Sequence, residues 1–375
     1  MSSTPSPRIS DHFVRLTDPR RGRTSHPLIN LVTIALCATI AGADDFVAMI
    51  AWARRHRGWL AQFLDLSHGI PSHDCLNMLF RRLKPDEFER CLLSWLAALH
   101  GTSGGTLVAI DGKALRRSFD KATARSALHL VGAWAVSQKL SLGCVAVEEK
   151  GNEIAAIPEL LKLIELSGAI VTIDAMGCQA EIARAIVDGG GDYILAVKGN
   201  QPTLHVRVVG HVLEQMEDDF ARVEASRHET REKAHGREER RTYYVLEAPA
   251  GLPDAGRWKG LKRIGVAISE TVRGGKACDD VRYFIMSREL SARRFGTLVR
   301  SHWGIENSLH WQLDVSFGED QNRTRKDHAA ANLGVLRRTA LSLLKNETSE
   351  KVGVKNRRLI AAWNTDYLRK VLFGA

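Results

Sequence analysis

Two aspartates in this chain each close a short apolar run. Asp111 ends TLVAIDG (Thr106 to Gly112) and Asp174 ends AIVTIDAMG (Ala169 to Gly177). One acid at a strand end usually caps a turn. Two of them invite a different reading, because ligands of an open α/β sheet gather in the crevice at the carboxyl ends of its strands. If the two strands are neighbours, both carboxylates face one crevice and repel each other unless a cation lies between them. A hard, oxygen-ligated ion such as Mg²⁺ or Mn²⁺ meets that demand. A two-ion site asks for about three carboxylates, and the stretch RSHWGIENSLHWQLDVSFGEDQNR (Arg300 to Arg323) offers the third. Glu306 is the preferred candidate. Read as a helix, the stretch sets His302, Glu306 and His310 at steps of four on one stripe, and Trp303 is expected to pack that helix against the sheet. Asp314 and Glu319 are rival third ligands that spacing does not exclude.

The surrounding pattern must position these acids. Residues 1–10 (MSSTPSPRIS) are small and polar, as at a loose tip. Residues 11–98 repeat apolar positions at three and four, as in Leu28, Leu31, Val32, Ala35, Leu36, Ile40 and in Phe88, Leu92, Trp95, Leu96, which predicts a helical N-terminal domain over 1–100. Pro71-Ser72 and Pro85-Asp86 read as helix starts. GTSGG (Gly101 to Gly105) breaks the pattern. Three strand-like runs, an amphipathic run, the AIVTID run, a helix stopped at Gly189 to Gly191, the strand DYILAV and a helix from Pro202 follow. The order is β, β, β, α, β, α, β, α, which is an α/β sheet flanked by helices. Residues 222–285 crowd charges in RHETREKAHGREERR and then show short strands, so a mostly β insertion is expected there. Helical patterns return from 291 to 345. The basic segment 349–375 is expected as a loosely attached helix.

Bulk properties narrow the partners. The 375 residues carry a formal net charge of +10, with 44% hydrophobic and 26% charged side chains. That length is too great for one ordinary core, and such a basic excess points to a polyanion, nucleic acid first. The six cysteines, at 37, 75, 91, 144, 178 and 278, are scattered and form no CxxC pair, which gives no support to a zinc ribbon or redox motif and suits a reducing cytosol. The apolar run Leu28 to Ala43 follows arginines as an export signal would. It starts late, falls short of the ~18 residues of a membrane span, and flows into helical sequence, so no export and no membrane are expected. A nicotinamide-dependent oxidoreductase suits the α/β order, but no GxGxxG follows the first strand.

Four motifs taken together carry a resemblance: DGKALRRS with Asp111, TIDAMGCQ with Asp174, YILAVKGNQ, and HWGIENSLHWQLDVSFGEDQ with Glu306. With DPRRGRTSHPLINLVTIALCATIAGADDF and CLNMLFRRLKP upstream, the chain resembles over most of its length the DDE transposases of bacterial insertion sequences, in particular the ISAs-type or H-repeat-associated family. The resemblance implies an RNase H-like fold with a mixed five-stranded sheet ordered 3-2-1-4-5. It places Asp111 on the central strand, and the catalytic domain over 101–221 and 286–348. It implies Asp111, Asp174 and Glu306 as catalytic residues and metal ligands holding two Mg²⁺ (or Mn²⁺) ions. It also implies DNA cleavage and strand transfer at transposon ends, a homodimer on DNA, and a place in the bacterial cytoplasm at the nucleoid. Broader relatives carry an arginine four residues before the glutamate and a basic residue seven after it. This chain has His302 and Leu313 there.

Phosphates beside a metal site call for cations. The DNA-contacting candidates are Lys113, Arg116 and Arg117 after Asp111; Lys198, Asn200 and Gln201 in the KGNQ turn; and Arg300, His302, Arg323 and Arg325 around the Glu306 stretch. In the insertion, Arg237, Arg240 and Arg241 either grip DNA or pair with the interleaved glutamates. Two other functions fit the same acids: a domesticated nuclease that cuts without joining, and an inactive descendant that only binds DNA.

Overall fold

The fold is described from a computed structural model over residues 8–374, apart from residues 23, 102–105, 120–125, 148–152, 235–236, 250, 253–254 and 274–275. Most of the polar N-terminal tip and the GTSGG break thus lie outside the described residues.

Nine strands form one sheet: β1 (Leu107–Ala114), β2 (His129–Ala135), β3 (Leu140–Val147), β4 (Ile170–Ile173), β5 (Asp192–Val197), β6 (Ala225–Ala234), β7 (Arg237–Glu247), β8 (Arg263–Arg273) and β9 (Lys276–Met286). Their order is β3-β2-β1-β4-β5-β9-β8-β7-β6. The first five follow the expected 3-2-1-4-5. The sheet does not stop there, and the five-stranded expectation is corrected to nine. β9 pairs antiparallel with β5, Val197 opposite Tyr283, so the β-rich segment continues the sheet of the acids. Its strands are long, and they run through the charged stretch. β6 and β7 pair Arg231 with Arg240 and Glu232 with Glu239, and ion pairs such as Arg240 to Glu229 at 3.1 Å stitch the ribbon. Charge alternating every second residue is the strand signal there.

The chain divides into two compact units. In the unit of residues 104–111 and 157–305, β1, β4 and β5 are parallel and almost wholly buried. The helix Ala292–His302 lies on β7 and β8 through Phe295, whose ring meets Phe284 edge-on at 5.3 Å. Gly265 permits this approach, since a Cβ there would come within 2.5 Å of the Phe295 ring.

In the unit of residues 1–103, 112–156 and 306–375, the helix Ala329–Asn346 is buried along nearly its whole length. The helices Leu28–Ile40, His73–Arg82 and Pro85–His100 and strand β3 pack around it. A buried polar side chain needs partners, and Asn332 donates to the carbonyls of Phe80 and Leu83 at 2.7 and 2.9 Å. The C-terminal segment is not loosely attached. It forms helices Val354–Trp363 and Thr365–Phe373, burying Leu368, Val371 and Leu372. Arg358 is buried, with its guanidinium 4.0 Å from the Phe317 ring centre, donating to Asp44 at 2.6 Å and to the carbonyls of Thr39 and Ser316. Among the described residues no helix is long and apolar enough to cross a membrane, and the Leu28–Ile40 run is a core helix of 13 residues.

Candidate active site

The register of β1 and β4 sets the first two acids. Ile110 lies opposite Ile173 in the last pair of the parallel register, so Asp111 and Asp174, each one residue further on, stand at one level where that pairing stops. Asp174 follows the end of β4, whereas Asp111, expected to end its strand, lies inside β1, which runs on to Ala114. Neighbouring strands are about 4.8 Å apart.

Asp174 starts a single 3₁₀ turn, Ala175–Gly177, and its Oδ1 accepts the Gly177 N–H at 3.4 Å. The turn is tight enough that a Cβ on Gly177 would come within 2.2 Å of Ile173 Cγ2. The KGNQ turn braces it. The Asn200 amide donates to the Ala175 carbonyl, and Gln201 Nε2 donates to the Cys178 carbonyl at 2.9 Å and to Gln179 Oε1 at 3.2 Å. Asn200 and Gln201, expected at DNA, therefore spend their donors on the loop that follows Asp174. Lys198 is exposed.

His302 closes the helix Ala292–His302, and its Nδ1 lies 2.9 Å from Thr172 Oγ1. Thr172 Oγ1 also reaches the Val108 carbonyl at 3.4 Å, so one hydroxyl joins β4, β1 and the helix. Burial pushes the His302 pKa down and outweighs the Asp174 charge that pulls it up, so the ring is neutral at pH 7. Arg300, another DNA candidate, is held by both carboxylate oxygens of Glu232 on β6, one at 2.7 Å. Trp303 is 51% exposed and lies under the Arg282 guanidinium at 4.7 Å. Its contact with the sheet is therefore made through Arg282 of β9, with half of the ring left to solvent.

The Glu306 stretch is also not one uniform helix. Helix Ala292–His302 ends at a Trp303 cap, and Glu306–His310 forms a wider π turn that runs into helix Trp311–Phe317. The apolar anchors are Leu309, Leu313 and Phe317, each fully buried at steps of four, while Trp311 is 52% exposed. His310 is 4% exposed, and its Nδ1 lies 3.0 Å from Glu306 Oε2. Burial above all drives the His310 pKa down to about 4, against the pull of the Glu306 hydrogen bond. The ring is thus neutral, and because a carboxylate only accepts, Nδ1 carries the proton.

Two rival acids belong to a buried ion network. Lys113 is 7% exposed, and its Nζ lies 2.7 Å from Asp314, 3.1 Å from Asp320 and 3.7 Å from Glu319. Glu319 also pairs with Arg338 at 3.3 Å. Burial raises the Asp314 pKa, opposed by Lys113. Lys113 was expected at a phosphate, yet its charge is balanced inside the fold. Arg116 is exposed and pairs with Asp320 at 3.2 Å, and Arg325 donates to the Phe119 carbonyl at 3.3 Å. Arg117 and Arg323 are exposed.

The donor chemistry suits a hard divalent cation. Asp174 is exposed and the Glu306 side chain is 57% exposed, so carboxylate oxygens face solvent. Cys178, four residues beyond Asp174, is buried, and burial pushes its thiol up to about 12. Thr172 and Gly177 were missed in the sequence. The signal for Gly177 was its place three residues after Asp174, where only a tight turn fits.

Comparison with known proteins supplies the lineage. A family described as transposase DDE domain matches residues 102–343, and one described as DDE_Tnp_1-associated matches residues 10–96. The "H repeat-associated putative transposase YhhI" of Escherichia coli K12 is 36% identical over 379 residues, covering 98% of both chains. The "Putative transposase YncI" of Escherichia coli O157:H7 is 38% identical, over 97% of this chain and 94% of its own. An uncharacterized protein from Xanthobacter autotrophicus is 39% identical over 75% of this chain. The chain therefore belongs to the DDE transposases, among the H-repeat-associated members.

Proposed function

We propose that this transposase cuts DNA at the inverted-repeat ends of its insertion sequence and joins the freed ends to a target, using Asp111, Asp174 and Glu306 as the catalytic, metal-binding carboxylates. The observation that carries the reading is the shared level of Asp111 and Asp174, each directly after the last residue pair of the parallel strands β1 and β4. The transposase DDE match spans all three acids. Asp111, Asp174 and Glu306 would hold two Mg²⁺ (or Mn²⁺) ions, which would supply Lewis acidity toward the scissile phosphate and the attacking and leaving oxygens.

The residues divide the remaining work. Asp111 presents its oxygens from within β1 and Asp174 from the turn that follows β4, so both are placed by the sheet before an ion binds. Neutral His302 holds Thr172 without adding a positive charge beside Asp174. Exposed Lys198, Arg117 and Arg323 are the cations left to seat phosphates, while Asn200 and Gln201 support the Asp174 turn. Arg300 becomes a DNA contact when phosphate replaces Glu232. Lys113, Arg116 and Arg325 act through the internal network and loop contacts. The helical region 1–100 is assigned to recognition of the terminal repeats, and pairing two ends calls for a homodimer on DNA, in the bacterial cytoplasm.

The test is a labelled end-bearing DNA with Mg²⁺, scored for both cleavage and joining. Asp111→Asn, Asp174→Asn and Glu306→Gln each reduce both products to background while circular dichroism stays unchanged. Full cleavage by Asp111→Asn ends the proposal, and cleavage without joining by the wild type reduces it to a nuclease.

A further inference from the structure

We propose that His310 is a positioning residue for Glu306: its buried ring fixes the direction of the Glu306 carboxylate and thereby sets the affinity for the divalent ion. The inference rests on Glu306 being a metal-binding carboxylate, as proposed above.

The geometry argues for it in three steps. A solvent-facing glutamate has three rotatable bonds and wanders among rotamers, so its carboxylate must be ordered before it can hold an ion. Glu306 is such a residue, with its side chain 57% exposed. His310 is the opposite, at 4% exposure, placed directly after the fully buried Leu309. Their hydrogen bond, 3.0 Å from Nδ1 to Oε2, therefore ties a mobile carboxylate to a ring that packing holds still.

The local backbone supports the pairing. Glu306–His310 is a π turn, and such turns are rare and concentrate at functional sites. The turn puts the ring inside while the carboxylate stays outside, so the bond crosses from interior to solvent. Among the described residues the bond from His310 falls on Oε2, and the remaining lone pairs of the carboxylate can accept a cation. An imidazole N–H donated to a ligating group is a common way to orient that group, and loss of such a partner weakens metal binding about 10–100-fold.

The experiment is Mn²⁺ titration of the full chain by calorimetry, without DNA, on wild type, His310→Leu, His310→Asn and Glu306→Gln, with thermal midpoints confirming that each is folded. Leucine fills the buried volume but donates nothing, so His310→Leu weakens Mn²⁺ binding about 10–100-fold. Asparagine places an amide donor near the Nδ1 position, so His310→Asn recovers most of the affinity. In the metal-free wild type, ¹⁵N spectra show the Nδ1-protonated ring, and Glu306→Gln shifts its signal. If His310→Leu binds Mn²⁺ as the wild type does while Glu306→Gln is weakened, the positioning role is overturned and the assignment of Glu306 stands. If Glu306→Gln also binds normally, that assignment falls and the positioning role with it. Nitrogen coupling from His310 to bound Mn²⁺ in electron spin echo spectra makes the ring a ligand and overturns the positioning role as well.

Discussion

Asp174 owes its placement to small neighbours. Gly177 leaves no room for a methyl against Ile173, and the side chains of Asn200 and Gln201 close on the same turn. Gly177→Ala forces Ile173 or the turn to shift, at a cost of about 1–3 kcal/mol. We expect a lower thermal midpoint and a loss of cleavage larger than the loss of DNA binding, measured by gel shift beside the cleavage assay. Equal activity in Gly177→Ala contradicts the view that this turn aims the carboxylate. At this scale the sequence disclosed the acids but not their supports. A glycine three residues after an aspartate is visible, whereas the meeting of Thr172 with His302 spans 130 residues and has no local signature.

At the scale of elements, the Glu306 segment is held by leucines. Leu309, Leu313 and Phe317 recur every four residues, Trp303 and Trp311 fall two residues off that stripe, and a linear pattern cannot say which of the two stripes faces inward. Larger aromatic area favoured the wrong stripe. Leu313→Ala should destabilise the protein by about 2–5 kcal/mol, and Trp311→Ala by no more than about 0.5 kcal/mol, read from denaturant midpoints. The reverse ranking would contradict the anchoring by Leu309, Leu313 and Phe317. The strands that carry the acids were legible because parallel buried strands are continuous apolar runs. β6 and the start of β7 were not, because their alternation is charge against charge and is resolved only by cross-strand partners. The tie of the C-terminal helices was hidden too, since Arg358 reads as one more solvated cation until its carbonyl partners are seen.

At the scale of the whole molecule, a basic surface coexists with acids buried inside the unit of the long central helix. Glu89 is the clearest. Burial raises its pKa to about 7, although it accepts the Cys144 N–H at 2.6 Å. A carboxyl whose folded pKa lies above its unfolded value binds more protons when folded, so its contribution is greatest below pH 4.5 and declines as pH rises to about 7. Glu89→Gln removes that decline. Across this window the variant should gain stability relative to the wild type, on the order of a few kcal/mol, followed as chemical-denaturation midpoints against pH. Parallel pH profiles for the two proteins contradict the raised pKa. The net charge of +10 carries a separate expectation, that DNA affinity falls steeply with salt as phosphate-bound counterions are released.

The central claim is the convergence of Asp111, Asp174 and Glu306 on divalent ions, and the most direct measurement is a crystal structure of the protein soaked in Mn²⁺, with the ions located by anomalous scattering. The account predicts peaks within coordination distance of all three carboxylates, with Lys113 still holding Asp314 and Glu319. Peaks on Asp314 or Glu319, or well-occupied ions that leave Asp174 or Glu306 untouched, would contradict it.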